Sequence, residues 1–102
     1  MKAIIDGLQY DTDKATLIGE AGSDSSETDL YFWSAGLYRT PGAGRYFLAG
    51  YGGFFTRWRD SSRDGGGIIP LEPEGAREWA EQHLATAEVE AGFANTIVEV
   101  KI

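Results

Sequence analysis

The chain has no cysteine, which excludes disulfides, thiol catalysis and any cysteine-built zinc or iron-sulfur site. Its one histidine, His83, rules out a histidine-rich zinc site, and a Ser-His-acid triad would have to be built around that residue alone. Basic residues are scarce as well, with nine Lys and Arg against sixteen Asp and Glu giving a net charge of -7. A general nucleic-acid binder concentrates the opposite charge against the phosphates. Long apolar runs are missing too: Met1-Lys2-Ala3-Ile4-Ile5 meets Asp6, so neither a signal-peptide core nor a membrane span is expected, and a cytoplasmic protein is.

The chain has 102 residues that are 42% hydrophobic, 13% aromatic and 25% charged. Those figures predict a single packed domain, residues 1–102, expected as a monomer. The net charge hides a pattern. Residues 1–30 hold seven acids and two bases, giving -5, and residues 72–102 repeat that count. Residues 31–71 hold five arginines and two aspartates, giving +3, and nine of the fourteen glycines lie between Gly36 and Gly67. Tight hairpins and bends are expected in this basic middle.

Ile4-Ile5-Asp6-Gly7-Leu8-Gln9-Tyr10 places an Asp-Gly pair between short apolar segments, a strong hairpin signal. Asp11 to Lys14 reads as a turn bonded by its own side chains, Ala15 to Glu20 as a third strand, and Gly22 to Asp29 as a mobile polar loop. Leu30 to Thr40 and Arg45 to Gly50 read as aromatic-rich strands joined by Pro41-Gly42-Ala43-Gly44. If Thr40 opposes Arg45, Tyr38 meets Phe47 on one face and Leu37 meets Leu48 on the other. Apolar groups on both faces put this ribbon inside a sheet.

Glu72-Pro73-Glu74 opens a helix over about residues 73–88, with proline and acid suited to its first turn and Gly92 near its close. Ala76, Trp79, Ala80, His83, Leu84 and Ala87 share one face, and Glu74, Glu78, Glu81 and Glu88 lie opposite. Thr96 to Ile102 alternates like a last strand. The expected fold is α+β: an antiparallel sheet of about five to six strands, one amphipathic helix on one face, and a C-terminal strand.

Motifs for chemistry are weak. His83 falls on the apolar stripe and reads as a partly buried, hydrogen-bonded ring. The glycine clusters Gly42-Ala43-Gly44 and Gly50-Tyr51-Gly52-Gly53 complete no phosphate-binding fingerprint and precede no helix. Asp11, Asp13, Asp24, Glu27 and Asp29 lack the spacing of a calcium loop. No enzyme, cofactor or metal is expected. Phe54-Phe55-Thr56-Arg57-Trp58-Arg59 resembles a nucleic-acid surface in composition, since guanidinium groups neutralise phosphate and rings stack on bases. The structural alternative is a half-buried strand with Phe54 and Trp58 inward and the arginines solvated or paired to Asp60 and Asp64. The acidic helix face suggests imitation of nucleic acid instead. Glu74 to Glu88 is fourteen residues, about 21 Å of helix, so four carboxylates give roughly one charge per 5 Å. Duplex DNA carries one per about 1.7 Å. A mimic therefore needs Asp24, Glu27 and Asp29, or another acidic edge, as well.

Tyr10-Asp11-Thr12-Asp13-Lys14-Ala15, Leu37-Tyr38-Arg39-Thr40, Gly44-Arg45-Tyr46-Phe47-Leu48, Gly50-Tyr51-Gly52-Gly53 and Ile68-Ile69-Pro70-Leu71 with Ala76-Arg77-Glu78-Trp79 together resemble a family of small acidic proteins of bacteria, phages and mobile elements. Residues 4–84 carry the resemblance, although Glu72-Pro73 replaces the family's small polar helix cap and the Gly22 to Asp29 loop falls outside it. The resemblance implies a setting of phage and host conflict, in which compact acidic proteins act as stoichiometric inhibitors, anti-CRISPR proteins among them. The expected partner is a basic nucleic-acid groove of a CRISPR effector, such as a Cascade-type complex, met by Asp24, Glu27, Asp29, Glu74, Glu78, Glu81 and Glu88. The alternative is a nucleic-acid-binding accessory protein using Arg57, Trp58, Arg59 and Arg63.

Overall fold

A computed structural model describes residues 1–58 and 67–100. It is α+β, with β1 (Lys2–Ile5), β2 (Leu8–Asp11), β3 (Thr16–Gly22), β4 (Trp33–Arg39), β5 (Tyr46–Gly52), β6 (Gly67–Leu71), α1 (Pro73–His83) and α2 (Thr86–Phe93) in chain order. The strands form two antiparallel sheets, the hairpin β1-β2 and a four-stranded sheet ordered β3-β4-β5-β6.

Asp6 and Gly7 both take positive φ, 53° and 77°. That is the geometry of a tight primed turn, whose twist matches the strands it joins. Asp13 donates its backbone N–H to the Asp11 carboxylate at 3.0 Å, the expected side-chain-bonded turn. In the central ribbon Thr40 donates to the Arg45 carbonyl at 2.8 Å, and Tyr38 pairs with Phe47 and Leu37 with Leu48. The ribbon is interior, flanked by β3 and β6.

Both of its faces are covered, which makes three layers. On one side Ala35, Leu37 and Leu48 pack with Ala76, Ala80, Phe93 and Trp58. On the other, Phe47 and Ala49 pack with Tyr10 of the small hairpin, and the Tyr10 ring meets Phe47 edge-on at 5.4 Å. Leu37, Phe47 and Leu48 are fully buried, each contributing about 1.5 to 3 kcal/mol.

Three expectations are corrected. The single helix over residues 73–88 is two helices, broken where Leu84 turns extended (φ -105°, ψ 161°). The Leu84 side chain then lies against β3, where a Cβ on Gly19 would come within 2.9 Å of its methyl groups. Gly92 does not close a helix but lies inside α2, where a Cβ would meet Ile18 Cγ2 at 2.7 Å. Ile18 is the residue that shifts the register between Leu17 and Gly19; its bulge projects toward α2, and only glycine leaves room. The C-terminal strand is also absent from the described residues: a 3-10 turn over Ala94–Thr96 follows α2, and residues 97–100 pair with no strand. Phe93 is drawn into the core, 4% exposed and stacked on Tyr46 at 5.1 Å. The chain therefore leaves from the helical layer instead of a sheet edge, and Val98 and Val100 are exposed. Lys101 and Ile102 lie outside the described residues. No helix among the described residues is long and apolar enough to cross a membrane.

Candidate functional site

Two loops at one end of the main sheet are zipped together by backbone hydrogen bonds. Gly53 donates to the Phe32 carbonyl at 2.8 Å and Phe55 to the Leu30 carbonyl at 2.9 Å. Gly53 permits this approach, because a Cβ there would collide with the Leu30 and Asp29 carbonyls. The first loop, expected as a mobile polar segment, is folded by local bonds. Ser23 Oγ accepts the Trp33 N–H at 3.1 Å and contacts Ser25 Oγ at 2.8 Å. Ser26 Oγ contacts Thr28 Oγ1 at 3.0 Å, and the Asp29 carboxylate accepts the Tyr31 N–H at 2.8 Å. Small hydroxyl and carboxylate groups here replace an apolar anchor by satisfying the turn's own N–H groups.

The zipper sets aromatic rings on the surface. Tyr31 stacks on Phe55 at 5.1 Å, and Phe54 meets Phe55 edge-on at 5.2 Å. Leu30, Tyr31, Phe54 and Phe55 are 52%, 65%, 56% and 54% exposed. Phe54 to Trp58 form turns and no strand, which corrects the half-buried strand with Phe54 inward. Trp58 does point inward, at 3% exposed, so its ring is a core group and not a platform for a base. Arg57 is exposed, with its guanidinium 6.0 Å from the Trp58 ring centre. Arg59 and Arg63, and the aspartates Asp60 and Asp64 expected to pair with the arginines, lie outside the described residues.

Beside the zipper runs a cleft of about 470 Å³ lined by Tyr31, Trp33, Phe55, Thr56, Arg57, Trp58, Trp79, Gln82 and His83. Among them Tyr31 and Phe55 form one ring contact, and Trp33, Trp79 and His83 form a second cluster, with His83 5.1 Å from Trp33 and 4.9 Å from Trp79. His83 is exposed instead of partly buried, and ring contacts, not a hydrogen-bonded core pocket, hold it.

The acidic residues divide. Asp24, Glu27, Asp29, Glu74, Glu78 and Glu81 are exposed. None of them is among the residues lining the cleft, although Asp29 lies two residues from Tyr31 in the chain and Glu78 and Glu81 lie next to Trp79 and Gln82 in α1. Glu88 does not join them: its Oε1 accepts the Ala85 N–H at 3.1 Å and serves the start of α2. The acidic face of α1 is thereby shortened to Glu74, Glu78 and Glu81, about 10 Å of helix. Among the described residues no three acidic or histidine side chains converge as metal ligands.

The cleft was missed from sequence because its lining comes from three separate segments, residues 31–33, 55–58 and 79–83. The signal that could have found it is the pair of aromatics Tyr31 and Phe55 on loops that are otherwise largely polar or glycine-rich. Neither a scan of family models nor searches of curated proteins and of solved structures gave a match.

Proposed function

We propose that this chain is a non-enzymatic protein inhibitor of the anti-CRISPR kind, acting by occupying a basic nucleic-acid groove of a CRISPR effector. The observation that carries the reading is the exposed patch of Leu30, Tyr31, Phe54 and Phe55, preceded in its first loop by the exposed Asp24, Glu27 and Asp29. Isolated soluble domains rarely leave stacked aromatics in water, and patches with a polar rim mark interaction sites. Aromatic rings supply most of the energy in such contacts while the rim charges steer the approach.

Glu74, Glu78 and Glu81 extend the negative surface along α1. They are too few to imitate a length of duplex, since three charges over about 10 Å fall well below DNA's one per about 1.7 Å. Inhibition would therefore rest on the aromatic patch, with the carboxylates matching Lys and Arg on the groove. The effector setting comes from the resemblance to acidic proteins of phages and mobile elements.

The test is an electrophoretic mobility assay of target DNA with a purified Cascade-type complex, with and without this protein. The reading expects loss of the DNA-bound band at stoichiometric protein. It also expects recovery of the band with a Tyr31→Ser/Phe55→Ser variant. Full DNA binding at a large excess of the wild-type chain, across effector types, would overturn it.

A further inference from the structure

The lining of the aromatic cleft carries the wrong charge for a site that receives a cation. In a chain of net charge -7, the nine lining residues among the described residues include no Asp or Glu, and Arg57 is the one formally charged side chain among those nine. An aromatic cage for a Lys, Arg or quaternary ammonium group normally lacks a fixed cation at its mouth. Here the exposed Arg57 lines the cleft with its guanidinium over the Trp58 ring, 6.0 Å from the ring centre.

The lining rings fall into two contacting sets around one cleft, Tyr31-Phe55 and Trp33-Trp79-His83. A planar ring entering the cleft meets aromatic side chains, and stacking on them is favourable for any π-face. Gln82 adds an amide that can donate and accept at a heteroaromatic edge, and Thr56 supplies a hydroxyl. Thr56 Oγ1 already donates to the Gly53 carbonyl at 2.8 Å and accepts the Trp58 N–H at 3.1 Å. Gln82 is therefore the better edge-reading group. A volume of about 470 Å³ lies within the roughly 300 to 1,000 Å³ of small-ligand sites.

From this combination we propose that the cleft binds a nucleobase carrying a phosphate. The base is sandwiched between the Tyr31-Phe55 stack and the Trp79-His83 face, Gln82 meets its edge, and Arg57 pairs with the phosphate. The ligand is either a free mononucleotide or one nucleotide of a single strand, which share this chemistry. Trp58 is the buried floor, so the site differs from a flat Arg-Trp-Arg surface. The proposal does not depend on the acidic surface meeting a protein, and its test contains no partner protein.

The experiment titrates the purified full chain with AMP, UMP, adenosine and a ten-nucleotide oligothymidylate, reading tryptophan fluorescence, because Trp33 and Trp79 line the site. Saturable quenching by AMP is expected, with adenosine weaker. Arg57→Gln should weaken AMP about tenfold and leave adenosine unchanged. Tyr31→Ser and Phe55→Ser, both at exposed positions, should weaken both ligands about tenfold. An oligothymidylate affinity far above that of a mononucleotide, falling steeply with salt, identifies a single strand as the source. Equal affinities identify a free nucleotide. Absence of saturable quenching with all four probes, or quenching by AMP that Arg57→Gln leaves unaltered, overturns the proposal.

Discussion

Tyr38 lies at the seam between the main sheet and the small hairpin, its ring stacked on Phe47 at 5.3 Å. Partial burial raises its phenol above the ordinary value, and the nearby carboxylates of Glu20 and Asp13 raise it further. The folded chain therefore favours the neutral phenol more than the unfolded chain does. Its contribution to stability is complete below the unfolded value of about 10 and is lost as pH rises through the higher folded value. Urea midpoints measured from pH 8 to pH 11 should fall in the wild type above about pH 10. The fall should be shallower in Tyr38→Phe, and parallel curves would contradict the assignment. The residue pairing behind this prediction was legible in the sequence, because Thr40 opposite Arg45 fixes the register and a period of two does the rest. The depth of burial was not, since it depends on Tyr10 and Ile5 arriving from the separate hairpin.

At the scale of elements, the break between α1 and α2 is the feature that most changes the assignment of acidic residues. Ala85 is the residue before α2, and Glu88 reaches back to its N–H. This is half of a reciprocal cap, because alanine has no side-chain oxygen to return a bond to the Glu88 N–H. Ala85→Ser should supply the missing acceptor and raise stability by about 0.5 to 1 kcal/mol, while Glu88→Ala should lower it by about 1 kcal/mol. Thermal denaturation reads both, at about 4 to 8 °C per kcal/mol for a domain of this size. A Glu88→Ala variant as stable as the wild type would remove Glu88 from this role. The break escaped a sequence reading because His83-Leu84-Ala85-Thr86 contains neither Gly nor Pro, and an uninterrupted helical stripe runs through it. Glu88 three residues after Ala85 was the available signal, muted by the missing hydroxyl. The C-terminal alternation erred in the opposite way: Val98 and Val100 satisfy a strand's pattern, but a pattern names a face to bury and supplies no edge to pair with.

For the whole molecule, the sequence showed two acidic ends around a basic middle, and folding determines what that charge surrounds. The hydrogen bonds between residues 30–32 and 53–55 tie the end of the first acidic segment to the basic middle, and α1, which carries acids of the second, supplies Trp79, Gln82 and His83 to the aromatic cleft. Arg57 of the basic middle lines the same cleft. Charge and aromatic groups should then separate kinetically if this surface binds a basic protein groove. Rim carboxylates act mainly on the encounter, whereas desolvated rings hold the complex once formed. A Glu74→Gln/Glu78→Gln/Glu81→Gln variant should bind an effector with an association rate roughly three- to tenfold lower at low salt and a nearly unchanged dissociation rate. That deficit should shrink as ionic strength approaches 0.15 M, where the screening length is about 8 Å. Tyr31→Ser/Phe55→Ser should do the reverse, raising the dissociation rate by about tenfold or more with little salt dependence. Surface plasmon resonance with the effector immobilised separates the two rates. An acid-to-amide variant that changes only dissociation would mean the α1 carboxylates are buried in the contact instead of steering toward it, because losing one partner of a desolvated ion pair is felt in how fast the complex comes apart.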